Sequence, residues 1–292
     1  MTTATAMLGL LAETSLHAGA GQSAGVIDLP IQREAHTGWP VVFGSGVKGA
    51  LRAKAEGSHK DWITAVFGPD TKNASDNAGA LLVGDARLLL LPVRSLTSHY
   101  RWVTCPALLR RFHADRERLG LGQPADFPVP ELPPDSTTAL VCEAGGKPLF
   151  LEEFRFGKEQ ADLGALIATL APLLLVPDAA ARLREQLAIV SDDLFAHLSR
   201  YATPVNAHVR LDNATKTVEQ GALWYEETLP PDTLLYVALA AQRSRVKGCD
   251  KTATDILAHV TQELFEKPYL QLGGNETVGM GWCKVAVAGG AA

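Results

Sequence analysis

Three segments of this chain carry residue types and spacings that could do chemistry. The first, His17 to Glu34 (HAGAGQSAGVIDLPIQRE), spreads Gly19, Gly21 and Gly25 among small residues and then sets a carboxylate, Asp28, between apolar neighbours ahead of Pro30. Dense glycine lets a backbone approach a polyanion closely, and a carboxylate on such a loop could take a proton or hold a cation. Taken alone, Asp28 more often marks a turn or capping carboxylate than a catalyst, and His17 more often a structural loop histidine than an acid–base group. The second segment is Gly44-Ser-Gly-Val-Lys-Gly-Ala-Leu-Arg52, a glycine-rich turn feeding a helix with Ser45 as its expected N-cap. A helix N-terminus offers unpaired N–H groups and the positive end of the dipole to an anion, and the i, i+4 spacing puts Lys48 and Arg52 on one face. Gly44, Ser45, Gly46, Lys48, Gly49 and Arg52 are therefore a candidate anion cradle, although an ordinary capped helix with a solvated basic face has the same pattern. The third, Leu270 to Trp282 (LQLGGNETVGMGW), reads as a hairpin with left-handed glycines or as a second nest of backbone N–H groups at Gly273 and Gly274. No GxGxxG follows the first strand and no GKS or GKT occurs, so neither a dinucleotide fold nor a Walker loop is supported.

The elements that must position these segments read as a mixture. Strands are expected over Met7–Leu16, Ala80–Pro92 (a central one), Leu234–Ala241 and Trp282–Val287, and Trp39–Phe43 is a short apolar run. Helices are expected over Val47–Glu56, Tyr100–Arg118 (basic and amphipathic), Ala165–Leu175, Ala179–Leu198 and Thr252–Phe265. Residues 119–136, rich in proline from Pro124 to Pro134, form an irregular insertion. Tyr201–Val218 alternates weakly around Asp212-Asn213, a hairpin-turn signal. Strands and helices interleave without the regular spacing of a barrel, which implies an α+β sheet with long insertions.

At 292 residues with 47% hydrophobic and 20% charged positions, the chain has room for a sizeable core and is not a disordered polyelectrolyte. The net charge of −5 argues against a surface coated in bases for non-specific nucleic-acid binding. Charge is nonetheless uneven. Arg33 to Lys60 carries +3, Arg87 to Arg118 carries seven arginines against Asp115 and Glu117, and Leu119 to Leu163 carries −5. Such blocks suggest a one-sided basic surface, or simply solvated faces. The four cysteines form no CxxC pair, so zinc-finger and dithiol redox chemistry lose support, and reduced, mostly buried thiols in a cytoplasmic protein are expected. No apolar run approaches the ~18 residues of a membrane span, and Met1 to Ala6 lacks a basic n-region, so neither a membrane partner nor a secretory leader is expected.

Together the three segments are specific. Their order and wording, with Ser191-Asp-Asp-Leu-Phe195 and Gly221-Ala-Leu-Trp-Tyr-Glu-Glu-Thr-Leu-Pro230 between them, resemble the RAMP superfamily of CRISPR proteins across nearly the whole chain. More closely, they resemble the backbone subunits of type III-B (Cmr) effector complexes, the family of the fourth Cmr subunit. The resemblance implies a single RAMP domain over 1–292: an α+β, RRM-like (ferredoxin-type) palm with long helical insertions and a projecting β-hairpin thumb near 195–220. It implies copies stacked head-to-tail along a CRISPR guide RNA beside other Cmr subunits, and metal-dependent cutting of complementary target RNA, in antiviral defence, next to each thumb. The family's catalytic aspartate falls on Asp28, which would also meet the divalent metal, Mg²⁺; His17 is the second catalytic candidate.

The guide backbone would be gripped by Gly44, Ser45, Gly46, Lys48, Gly49 and Arg52, with Gly273 and Gly274 as a further contact. Phosphate and sugar contacts read no sequence, which suits a protein whose target is chosen by base pairing. RNA supplies its own nucleophile, the 2′-OH, so one well-placed carboxylate can suffice. Glu34 reads as a partner for Arg33, and Glu226 and Glu227 as groups that could approach a neighbour's site. The chain departs from the family at Met280, where a base often stands between glycines, and at Ala18 and Ala20. A non-catalytic guide-RNA scaffold and a stand-alone precursor-processing RAMP endonuclease remain the alternative readings.

Overall fold

The computed structural model describes residues 3–23, 25–58, 60–70, 77–122 and 127–289. From the N-terminus run β1 (Ala4–Ala12), β2 (Val41–Val42), α1 (Gly44–Gly57), α2 (Ile63–Phe67), β3 (Leu81–Ser95), β4 (His99–Thr104) and α3 (Pro106–Arg118). Next come β5 (Thr138–Val141), β6 (Leu149–Leu151), β7 (Phe154–Gln160), α4 (Gly164–Leu174), α5 (Ala179–Gln186), β8 (Leu187–Ile189) and α6 (Asp192–Tyr201). The chain closes with β9 (Val205–Leu211), β10 (Val218–Glu227), β11 (Leu234–Ala241), α7 (Ala253–Ala258), β12 (Tyr269–Gln271) and β13 (Trp282–Gly289).

The expected α+β class is observed, and its heart is a four-stranded antiparallel sheet in the order β13–β1–β11–β3. With α1 between β1 and β3 and α7 between β11 and β13, this is the βαββαβ order of a ferredoxin-type palm. Burial on both faces explains why β1 is apolar almost throughout. Its even positions (Ala6, Leu8, Leu10) face the side of α1 and α7 with Val47, Leu51 and Ile256, while Met7 and Leu11 face α3 and α4 with Phe112, Leu170 and Leu173. Everything from β4 to β10 is inserted between the second and third palm strands. Much of it extends the same sheet, in the order β3–β4–β8–β5–β7–β6.

Three local expectations change. Tyr100–Arg118 is not one helix: His99–Thr104 pairs with the far half of β3, and the helix begins only at Pro106, because the residue before proline is pushed out of the helical region. Ala179–Leu198 divides into α5, β8 and α6, because Leu187–Ile189 is drawn into the sheet beside β4 and Ser191 then caps α6, its Oγ accepting from the Leu194 N–H. That cap also moves the hairpin from 195–220 to Val205–Glu227, a separate two-stranded unit pairing β9 with β10. Its turn is built by Asp212, whose carboxylate accepts from the N–H groups of Ala214 and Thr215 at 2.9 and 2.7 Å. Of the proline-rich stretch at 119–136, residues 123–126 lie outside the described residues, and the rest holds neither helix nor strand.

Cys105 and Cys283 are fully buried in the core, and burial raises both thiols, Cys283 to about 12. Cys249 sits on the loop after β11, where hydrogen bonds from Ser244 and the Lys251 backbone lower its pKa. Because the thiolate is the reactive form, iodoacetamide at pH 8 should alkylate Cys249 first and leave Cys105 and Cys283 intact until the chain unfolds. Peptide mass mapping checks this order.

Candidate functional site

The His17–Glu34 loop does not wave in solvent. It is stitched to the end of β10, where the hairpin meets the palm. Asp28 Oδ2 accepts from the Tyr225 N–H at 2.7 Å, and Leu29 continues the contact through Leu29 N–H to Tyr225 O (3.0 Å) and Glu227 N–H to Leu29 O (3.0 Å). Within the loop, Ser23 N–H closes onto the Asp28 carbonyl at 2.9 Å. Asp28 is therefore half-exposed with one carboxylate oxygen committed, and it lines an open cleft of about 390 Å³ with Gln22, Ser23, Leu29 and Trp224.

His17 reaches the same strand two residues further on. Its acceptor is the Glu227 carbonyl at 2.7 Å, so Nδ1 carries the proton and Nε2 is the free ring nitrogen. Glu226, 4% exposed, lies 3.9 Å from Nδ1 and accepts from Asn275 Nδ2 at 2.6 Å. Gly19 packs over the ring, since a Cβ there would stand 2.8 Å from His17 Nε2. Anchor points two residues apart on a strand are about 6.7 Å apart, so Asp28 and His17 belong to one neighbourhood.

The Pro30-to-Glu34 run is what fastens this neighbourhood. Glu227, 2% exposed, accepts from the Ile31 N–H (3.1 Å), Thr203 Oγ1 (2.7 Å) and the Arg33 guanidinium. Gln32 bridges outward: its Oε1 accepts from Phe43 N–H at 2.8 Å and its Nε2 donates to Gly19 O at 3.0 Å. Glu34 pairs with Arg111 at 2.6 Å. Two expectations are thereby corrected. Arg33 is Glu227's partner rather than Glu34's, and Glu226 and Glu227 are buried inside their own chain.

Gly273 and Gly274 also converge here, as a support for His17. A Cβ on Gly273 would collide with the His17 carbonyl, and Gly274 N–H donates to that same oxygen at 2.9 Å. The committed Gly274 N–H leaves less of a phosphate nest than the glycine pattern suggested. Met280, in the place of a base, rests its Sδ 3.6 Å from Asn275 Nδ2.

The α1 segment is only partly the cradle expected. Its cap is not Ser45: Phe43 occupies the N-cap, and Gly44 N–H is met by Asp85 Oδ1 at 2.7 Å, so the chain supplies its own anion at that N–H. Gly44 is buried, and its Cβ would stand 2.7 Å from Val83 O. Arg52 is spent on Glu56, Asp70 and the carbonyls of Gly68 and Pro69. Ser45, Gly46 and Gly49 are exposed, and Lys48 donates to Leu81 O at 3.2 Å. Burial, then the charges of Arg52 and Arg245, lower the Lys48 pKa, so cations crowd at this place. Arg245 belongs to Gln242–Lys251 (QRSRVKGCDK), four bases against Asp250, which the sequence reading passed over although a charge count would have found it. Trp224 was likewise quoted only as part of a motif.

Among the described residues, five of the seven arginines in the Arg87-to-Arg118 block are paired with acids. Arg87 and Arg118 pair with the buried Asp115, Arg94 with Glu152, Arg110 with Glu131 and Asp192, and Arg111 with Glu34. Among the described residues no group of three or more His, Cys, Asp or Glu could hold a metal ion, and no helix is long and apolar enough to cross a membrane.

Residues 10–284 match the RAMP superfamily. The chain belongs to that superfamily. It is 38% identical over 288 residues, 96% of this chain and 95% of the relative, to the CRISPR system Cmr endoribonuclease Cmr4 of Pyrococcus furiosus. In three dimensions it is similar to oligomeric Cmr4 from the same organism (TM-score 0.74, 29% identity, 99% of each chain). It is also similar in fold to a chain of the type III-B Cmr-beta complex bound to cognate target RNA (TM-score 0.74, 22% identity, 97% of each).

Breaking a buried ion pair from one side leaves an uncompensated charge and costs about 3–5 kcal/mol. Arg33→Ala should therefore lower stability by that order in chemical denaturation, and Glu227→Gln should destabilise too, because its single amide oxygen can accept on the Thr203 and Arg33 side or from Ile31, leaving an NH2 turned toward the other donor. A loss below about 1 kcal/mol for Arg33→Ala would show that the pair does not hold the loop.

Proposed function

We infer that this chain is a backbone subunit of a type III-B CRISPR effector complex, which binds guide RNA and cuts complementary target RNA as an endoribonuclease in antiviral defence. The observation that carries this reading is the full-length similarity to the Pyrococcus Cmr endoribonuclease, joined to a half-exposed carboxylate at the base of an exposed hairpin. The same similarity favours the enzyme over a purely structural scaffold.

In the reaction, the 2′-OH of a target nucleotide attacks the adjacent phosphorus. The 2′-O–P bond forms, the P–O5′ bond breaks, and the products are a 2′,3′-cyclic phosphate and a 5′-hydroxyl. Asp28, with Oδ2 pinned by Tyr225 N–H and its other oxygen toward the cleft, takes the 2′ proton. The leaving 5′-oxygen takes a proton from water. His17, largely buried and fixed through Nδ1 with Gly19 packed over its ring, positions the strand to which Asp28 is tied. For Mg²⁺, Asp28 would be the one protein ligand. One carboxylate fits an ion held mainly by water and substrate phosphates, which would stabilise charge on the reacting phosphate when bound; the proton transfers are assigned to the chain's own groups.

The hairpin of β9 and β10 suits a thumb. Val205, Val209, Leu211, Val218, Leu223 and Tyr225 are each 40–54% exposed on it, an apolar surface fit to wedge between stacked bases. The guide backbone would run over Ser45, Gly46, Lys48 and Gly49, joined by Arg245, while Gly44 and Arg52 support that surface from within. Copies would add head-to-tail in the cytoplasm beside other Cmr subunits, since a heterologous interface that does not close gives an open helix along a linear RNA.

Asp28→Ala should reduce cleavage of guide-complementary RNA by about 10²–10⁴-fold with target binding retained in a gel-shift assay; wild-type cutting by that variant would remove Asp28 from the site. Lys48→Ala and Arg245→Ala should each weaken guide binding across all sequences and lower the salt slope by about one. A sequence-selective loss in filter binding would contradict the backbone role.

A further inference from the structure

The cleft that holds Asp28 has an aromatic wall that the chemistry above does not use. Trp224 lies on β10 one residue before Tyr225, whose N–H pins Asp28, and its indole lines the cleft together with Asp28, Leu29, Gln22 and Ser23. Across the hairpin it pairs with His208, and the rings stack at 5.6 Å with an interplanar angle of 15°. One face of the indole is thus braced by His208, which fixes its plane, while the residue as a whole stays half-exposed on the cleft. Gln22 and Ser23 add polar groups to the cleft's lining.

We propose that Trp224 is a stacking platform for the unpaired base of the target nucleotide whose 2′-OH attacks. This rests on the reading of Asp28 as the group that takes the 2′ proton, and it adds what that reading lacks, a reason for the substrate to adopt the reactive geometry. In a stacked A-form strand the 2′-oxygen, the phosphorus and the 5′-oxygen are not in line, and holding reactants in a near-attack geometry is worth several orders of magnitude in rate. A base drawn out of the stack onto a fixed aromatic plane swings its sugar, and the plane here shares its cleft with Asp28, which the next residue of the strand, Tyr225, pins through its N–H. Stacking accepts every base, because each has a π-face and typically gains about 1–3 kcal/mol. It therefore leaves sequence choice to the guide.

The test uses the assembled, guide-loaded complex and target RNAs carrying either 2-aminopurine or an abasic residue at the nucleotide 5′ to the scissile phosphate. On the base-containing target, Trp224→Ala should slow single-turnover cleavage by about 10–100-fold, the factor that the loss of one stacked base corresponds to. Target affinity should be unchanged, and Trp224→Phe should restore most of the rate. On the abasic target, wild type and Trp224→Ala should cut at the same low rate. In Asp28→Ala complexes, 2-aminopurine fluorescence should be quenched with Trp224 and several-fold brighter with Trp224→Ala, which reads stacking apart from cutting. Equal fluorescence with and without the indole, wild-type cutting by Trp224→Ala, or an equal loss on the abasic target would each overturn the platform. Undiminished cutting by Asp28→Ala would instead overturn the reading of the carboxylate, and the fluorescence comparison would still judge the platform by itself.

Discussion

A single buried carboxylate holds this site together. Glu227 ends β10, is withdrawn from water, and is satisfied by a guanidinium and a backbone N–H from one stretch of chain, Arg33 and Ile31, and by the Thr203 hydroxyl from another. Its main chain does as much, accepting from His17 and donating to Leu29. A charge desolvated to this degree tolerates few arrangements of its neighbours. The cost of leaving it unmatched is what keeps a glycine-rich loop in one conformation, so that Asp28 meets the cleft at a fixed place. Asp28 can be loosely packed because Glu227 beside it is not.

The same logic separates structural from available charge. Counted along the sequence, Arg87 to Arg118 is the most basic block of the chain, yet its arginines are largely matched by acids that come from as far away as Glu34 and Asp192. Cations crowd instead at Lys48 and Arg245, almost two hundred residues apart, where the start of β3 and the loop after β11 come together, and also where Lys54 meets Lys267. A protein of net negative charge can therefore present a groove to RNA without carrying a basic coat, provided its other bases are neutralised internally.

Much of the fold is legible in local pattern. The continuous apolar run of β1 and the exact span Leu234–Ala241 mark central strands, and Val47–Glu56 has the helical period that α1 shows. Local pattern misleads where a short apolar stretch lies between helical ones. Leu187–Ile189 has nothing in its own residues that distinguishes it from helix; the vacant edge between β4 and β5 makes it a strand. Ser45 has the chemistry of an N-cap, but Asp85 reaches the helix end first from the neighbouring strand.

By itself the sequence determined the alternation that builds the palm, the glycines that permit the loops, and the motif wording that marks the superfamily. Tertiary structure alone decided that Glu226 and Glu227 turn inward, that Arg33 rather than another base answers Glu227, that the glycines near Gly274 serve His17, and that Trp224 shares a cleft with Asp28. The physical reason is range. Periodicity and turn chemistry act over a few residues, whereas the partner of a buried charge is whichever group the packed sheet delivers, here from about two hundred residues away.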